Sequence, residues 1–223
     1  MRKGMLAAFF LMPAVFAMAQ SAQTLQIASG AEEQVESLLD KPAMIKAAVA
    51  TPLGKNWFRL ETDAHVFTTQ ANAKQIAAVL LDVDNQEKYF NGKKSKLTAK
   101  LVSNSGSGSL IDFVSISVAG PIQIKTPYRA LVTAPVRTDS KIGVEVKQDA
   151  GDSAKNNDIK NLFATRYAED VVIGGKKYTY IRFYTIDDVN ASILPGAKGA
   201  LEKNSEPTNV ENLNMAISAA KGK

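Results

Sequence analysis

Arg166 is the side chain in this sequence whose surroundings most suggest a chemical task. The segments Asn161–Ile173 and Lys177–Asp187 alternate apolar and polar residues and are joined by Gly174-Gly175, a two-residue loop suited to the positive φ values of a tight hairpin. That register sets Ala168 opposite Ile181 and Arg166 opposite Phe183, with Leu162 and Ala164 on the same face. Tyr167, Glu169, Tyr180, Arg182 and Tyr184 fall on the other face, a mixed surface suited to water. A guanidinium among inward-facing apolar residues is costly unless paired. It could orient the polar head of a bound molecule, or it could form an ion pair with Asp112 or Asp170; a different register would remove the question.

The remaining inventory for catalysis is thin. One histidine and no cysteine exclude thiol nucleophiles and the common His/Cys metal clusters. His65 lies in a strand pattern opposite in face to Ala64 and Val66 and reads as a structural side chain, since no nucleophile-elbow motif accompanies it. Asp82, Asp84 and Glu87 lack the glycine and closing glutamate of a calcium loop and read as a solvated helix end. Gly106-Ser107-Gly108 is followed by no lysine and is not a phosphate loop, and the Asn190-Ala191-Ser192 sequon is a pattern that arises often by chance. The residues predict no metal and no cofactor.

The elements that position Arg166 follow from hydrophobic period. Residues 31–50 are expected to form a helical appendage outside a sheet: Ser29-x-x-Glu32 is a capping box, Val35, Leu38 and Leu39 share a face, and Met44, Ile45, Ala48 and Val49 suggest a second helical piece. A strand is predicted from Trp57 to Thr68. A helix capped by Asn72 follows, with Ile76, Val79 and Leu80 on one side. Strands are then expected over Lys96–Ser103, Leu110–Val118, Tyr128–Val136 and Ile142–Lys147, before the hairpin. On Leu110–Val118 one face holds Ile111, Phe113, Ser115 and Ser117, the other Asp112, Val114, Ile116 and Val118, and the pattern alone does not choose between them. From Asn190 to Lys221 the sequence predicts a slim, Ala-rich helix in two halves, broken at Asn204–Pro207 and restarted by Thr208-x-x-Glu211. Its apolar stripes hold Leu194, Leu201, Leu213 and Ile217. It either seals an ordinary core or lies as a lid over a cavity.

The bulk numbers place this domain. Residues 1–19 have a basic start at Arg2 and Lys3, an apolar run from Met5 to Phe16, and Ala17-Met18-Ala19 as a cleavage site, which together read as a secretory signal peptide cut before Gln20. The expected division is a leader over 1–19, a helical extension over 20–53 and one domain over 54–223. Export implies a periplasmic or secreted protein. The absence of cysteine excludes disulfides, so stability must come from a core. Removing the leader lowers the net charge from +5 to +3, too mild to argue for nucleic acid but compatible with transient contact at an anionic membrane surface.

The order of elements, with its residues, resembles the StAR-related lipid-transfer (START) domain, an α+β helix-grip fold. Gly54-Lys55-Asn56-Trp57-Phe58-Arg59-Leu60 is similar to the family's opening into its first strand. Ile76-Ala77-Ala78-Val79-Leu80-Leu81-Asp82-Val83-Asp84 resembles its helix ending in an aspartate before an aromatic, with Tyr89-Phe90 where the family has tryptophan. Leu194-Pro195-Gly196, Leu201, Glu206-Pro207 and Leu213 resemble the start and body of its C-terminal helix. Pro121 to Tyr128-Arg129 is similar to a strand with an Arg-Asp pair, although Ala130 follows the arginine here. The likeness spans about residues 54–220. It implies a curved antiparallel sheet of about seven strands under a long C-terminal helix, and an internal cavity for one lipid or sterol-like molecule. The ligand-binding residues it implies, beside Arg166, are Arg129, Phe113, Tyr128, Phe183, Leu194, Leu201, Leu213 and Ile217. The expected protein is a monomeric, non-enzymatic carrier. A cyclase or hydrolase on the same fold, and an envelope interaction module with a filled core, are the alternatives.

Overall fold

A computed structural model of the chain describes residues 31–194 and 196–223; the expected leader, residues 1–19, lies outside the described residues. The chain folds as one eight-stranded antiparallel sheet ordered β1-β2-β8-β7-β6-β5-β4-β3. Its strands are β1 (Ala43–Gly54), β2 (Trp57–Thr68), β3 (Ser95–Ser105), β4 (Gly108–Ala119), β5 (Ile122–Arg137), β6 (Lys141–Gln148), β7 (Ile159–Ile173) and β8 (Lys176–Asn190). The helices are α1 (Ala31–Leu38), α2 (Ala73–Leu80), α3 (Gln86–Tyr89), α4 (Ala150–Lys155) and α5 (Ala197–Ala220). α5 packs on β1 and β2 and also reaches β3 and β4, at opposite ends of the strand order. The sheet must therefore curl around the helix. This is a helix-grip α+β fold.

The hairpin has the predicted register, with Ala168 opposite Ile181 and Arg166 opposite Phe183. Gly174 and Gly175 both have positive φ, 57° and 75°, as a twist-matched two-residue turn requires. Alternation then sorts side chains into two layers. Ala64, Val66, Ile111, Phe113, Ile142, Ala168, Ile181 and Phe183 meet Ile76 and Val79 of α2 and Leu213, Ala216 and Ile217 of α5 in the main core. On the convex side Phe67, Ile173 and Tyr180 pack with Val35 of α1. α2 is held by the predicted cap, with Asn72 accepting from the Gln75 N–H and the Gln75 side chain accepting from the Asn72 N–H.

Two sequence expectations are corrected. Of the helical extension over 20–53, only α1 is helix within the described residues, and 43–54 is strand β1, at the sheet edge. Its pairing with β2 slips between Met44 and Lys46 and again between Lys46 and Val49. Such bulges break the two-residue period and leave apolar residues at 44, 45, 48 and 49, a spacing that imitates a helix. The second correction concerns α5, which runs unbroken through Pro207. Carbonyls around the proline gain side-chain donors instead: Asn204 to Ala200 O, Ser205 to Leu201 O, Thr208 to Asn204 O and Asn209 to Ser205 O. The proline is exposed, so its missing hydrogen bond falls on the wet side.

Candidate functional site

Between the sheet, the α2–β3 connection and α5 lies a cavity of about 170 Å³. Its apolar walls include Ile111 and Phe113 of β4, Val144 and Val146 of β6, Leu162 and Ala164 of β7, and Phe183 of β8. Leu80, Val83 and Phe90 close one side from the α2–β3 connection. The inward face of β4 is thus the one carrying Ile111, Phe113 and Ser115. Polar groups enter at a few places: Arg166, Tyr128, Thr185, Gln86, Ser95, Lys96 and Asn212. Gln86 is already satisfied, donating to the carbonyls of Val79 and Asp82 at 2.9 and 3.1 Å, where it finishes α2.

Arg166 is held but not ion-paired. Its Nη1 lies 2.8 Å from the Tyr184 carbonyl, 3.0 Å from that of Thr165 and 3.1 Å from the Thr185 hydroxyl. The guanidinium carbon sits 4.8 Å from the centre of the Phe183 ring, a cation–π contact in a dry setting. The carboxylates that could have paired with it are used elsewhere: Asp112 by Arg129, Asp170 by the Ala73 N–H and the Thr179 hydroxyl. Burial pulls Arg166 down to about 10, so it remains a cation at neutral pH. Burial also pushes the Tyr128 hydroxyl up to about 12, keeping it a neutral donor.

Asp187 stands beside this group. It follows Phe183 and Thr185 on the inward face of β8, and its Oδ1 is buried with no hydrogen-bond partner. The β7–β8 ladder slips between Lys160 and Phe163, so Asp187 has no ladder partner on β7. Asn161 at the slip has φ 53°, and the Leu162 N–H is taken by Gln148 Oε1 at 3.2 Å. Burial, reinforced by the neighbouring Asp188 charge, pushes the Asp187 carboxyl up to about 7, with Arg166 pulling the other way. This residue was missed in the sequence, although the alternation 181, 183, 185, 187 carried the signal. It reads there as the polar end of a strand.

Of the expected residues, Arg166, Phe113, Tyr128 and Phe183 are brought together on the cavity wall. The others are not. Arg129 lies on the opposite face of β5, in a two-pronged pair with Asp112 at 2.6 and 3.0 Å. Leu213 and Ile217 are packed in the core, and Leu194 and Leu201 are also absent from the cavity wall. α5 contributes Asn212 instead. His65 is a half-buried convex-face residue, edge-on to Tyr180 at 5.9 Å, and burial lowers its pKa. Asp82 accepts from Tyr89, Asn85 and Lys223, which hold its carboxyl down at about 2 and tie the chain's last residue to the end of α2. No metal-binding group of side chains occurs among the described residues.

The rim next to Ser95 is closed by Glu211. Its carboxylate accepts from the backbone N–H groups of Lys93, Lys94 and Ser95 at 2.9, 2.7 and 2.8 Å, joining α5 to the start of β3. Gly92 lies directly against this carboxylate, where any β-carbon would collide with it. Gly92→Ala is therefore expected to displace the clamp and cost roughly 1–2 kcal/mol, since charged hydrogen bonds are worth more than neutral ones and these are partly wet. Urea unfolding of Gly92→Ala and Glu211→Gln checks it; equal losses identify the clamp as the cause, and an unchanged Gly92→Ala would refute the expectation.

No family model and no curated protein matches the chain. It is similar in fold to human STARD10, at 10% identity over 78% of this chain and 73% of that one, with a TM-score of 0.49. It is similar also to the Zhui aromatase/cyclase of a Streptomyces species, at 13% identity over 73% of this chain and 93% of that one, TM-score 0.47. A START superfamily protein from Mycobacterium smegmatis matches at 13% identity over 73% of this chain and 94% of that one, TM-score 0.44. Likeness this distant bears on architecture alone. The expectation of a non-enzymatic protein is corrected by the aromatase/cyclase among these structures, because the architecture houses an enzyme and so does not exclude catalysis.

Proposed function

We propose that this chain is an exported protein that holds one hydrophobic small molecule in the cavity under α5, with the molecule's polar end at Arg166. The observation that supports it most is an apolar cavity with a held but carboxylate-free guanidinium in its wall. Burial of the ligand's apolar body would drive binding at about 25 cal/mol per Å². The cavity, about 170 Å³, is below the roughly 300–1,000 Å³ usual for ligand sites. A compact molecule fits as the chain stands, and a full-sized lipid requires the wall to widen. Release from the leader and residence in a periplasm or outside the cell belong to this proposal. Among the described residues no helix is long and apolar enough to cross a membrane.

Native mass spectrometry of residues 20–223 is the test, with Ala164→Leu alongside. Ala164 is 2% exposed and lies in the cavity wall, so the added carbons occupy ligand space. A stoichiometric, solvent-extractable mass on the wild type that is lost in Ala164→Leu at unchanged Tm is the expected result. A wild type that stays bare after incubation with host lipid extract would overturn the reading.

A second reading, catalysis on the bound molecule, is favoured by one observation. Asp187 is a carboxyl whose buried Oδ1 has no hydrogen-bond partner, near Arg166 and Tyr128; burial pushes it up to about 7, the condition of a general acid or base at neutral pH. Turnover of a hydrophobic substrate that vanishes in Asp187→Asn while binding persists would establish it.

A further inference from the structure

The identity of the polar end can be argued from how differently the arginines are treated. Arg59, Arg129 and Arg182 each grip a carboxylate with two nitrogens, at 2.6–3.1 Å, on Asp188, Asp112 and Asp63. Arg166 has three neutral oxygens, all on Nη1, and its other nitrogens make no hydrogen bond among the described residues. A cavity-wall guanidinium lacks the planar, two-oxygen partner it is shaped for. Asp187 does not supply it, for no ion pair joins the two, and its buried Oδ1 is unpartnered. The cavity wall thus carries one fixed positive charge, and the carboxyl nearest in effect, Asp187, is not part of that wall.

Resting on the reading of a ligand cavity, we infer that the bound molecule is a compact hydrophobic monocarboxylic acid, its carboxylate received by the nitrogens of Arg166 that make no hydrogen bond within the protein. The anion pairs with the guanidinium. Asp187, near the guanidinium but outside the cavity wall, takes up a proton from solvent as the ligand's charge arrives, because two carboxylates near one cation repel each other. Binding is then coupled to uptake of one proton wherever Asp187 is ionised in the empty protein. The charged groups acting on Asp187 are Asp188 on its own strand, already bonded to Arg59 and Asn161, and Arg166 on β7. Tyr128 on β5 is the third titratable neighbour and stays neutral. From α5, Glu202 is engaged by the Ala50 N–H and Lys198.

Calorimetric titration of the mature chain with octanoate, 1-octanol and octylamine between about pH 6 and 8.5 tests this, since octanoate stays ionised throughout. The expected result is octanoate at least about tenfold tighter than octanol at pH 6.5, with amine weakest. Octanoate affinity should fall by up to about tenfold per pH unit above 7, the signature of one linked proton. Arg166→Gln should erase the preference for acid. Asp187→Asn should keep that preference and flatten the pH dependence, and so also controls for loss of fold. Equal affinities for the three heads, preference for the amine, or a slope retained in Asp187→Asn would overturn the inference while leaving the cavity reading standing. Failure of all three probes to bind, at any pH, would count against the cavity reading itself.

Discussion

Leu213→Ala is expected to cost about 3–5 kcal/mol, the range for removing a leucine from a site that cannot collapse. Leu213 is fully buried at the inner side of α5, in one cluster with Ile76 and Val79 of α2 and with Phe113 and Ile181 of the sheet. α5 is Ala-rich here, with Ala216 and Ala220 also fully buried, so the backbone approaches the sheet closely and Leu213 supplies much of the volume between them. Denaturant unfolding should show a lower midpoint at unchanged slope. A loss below 1 kcal/mol would mean that α5 is loosely seated, and the cavity wall with it.

Asp187→Asn is expected to have the second large effect, visible in how stability depends on pH. The carboxyl is pushed up to about 7 in the folded chain, against 3.8 for an aspartate free in water. Between these values the folded chain holds a proton that the unfolded chain has released, so wild-type stability falls as pH rises from about 4 to 7 and then levels off. At 1.36 kcal/mol per pKa unit the full penalty is at most roughly 4 kcal/mol, reached above pH 7. The asparagine variant carries no such penalty. Its stability should be flat across that window where the wild type declines, and above pH 7.5 it should exceed the wild type. Asp82, Asp112 and Asp188, whose pKa values are lowered, act in the opposite sense and only at more acid pH. Thermal unfolding at pH 4.5, 6 and 8 decides it: parallel curves for the two proteins would show that Asp187 reaches water.

How much of this was legible in the sequence depends on how local the signal is. The 174–175 hairpin was legible to single-residue register, since a two-glycine turn and strict alternation leave no freedom. Arg166 among inward-facing residues followed from it, as did its opposition to Phe183. The cavity face of β4 was not legible, because Asp112 and Phe113 lie in strands apolar on both sides; the Asp112–Arg129 pair, made across the β4–β5 ladder, decides it. The lid residues failed for a related reason. Period identifies the buried stripe of α5, yet a buried stripe can rest on side chains or on space, and Leu213 and Ile217 rest on side chains. Alternation sets Asp187 on the inward face, but that it lacks a ladder partner follows only from the slip at Asn161, a backbone event with φ 53° that no apolar pattern announces.

The bulged edge strand has a consequence beyond fold assignment. An open sheet offers its outermost backbone to any passing chain, and β1 is such an edge, with Ile45, Val49 and Leu53 exposed along it. Three slips in register, the last between Pro52 and Gly54, keep it from lying flat. Its Ala50 N–H is already taken by the Glu202 carboxylate at 3.1 Å, and Pro52 has no N–H to offer. A second molecule arriving strand-first would find few donors in line and a bent template. The irregularity that disguises β1 as a helix thus also guards a sticky margin against aggregation.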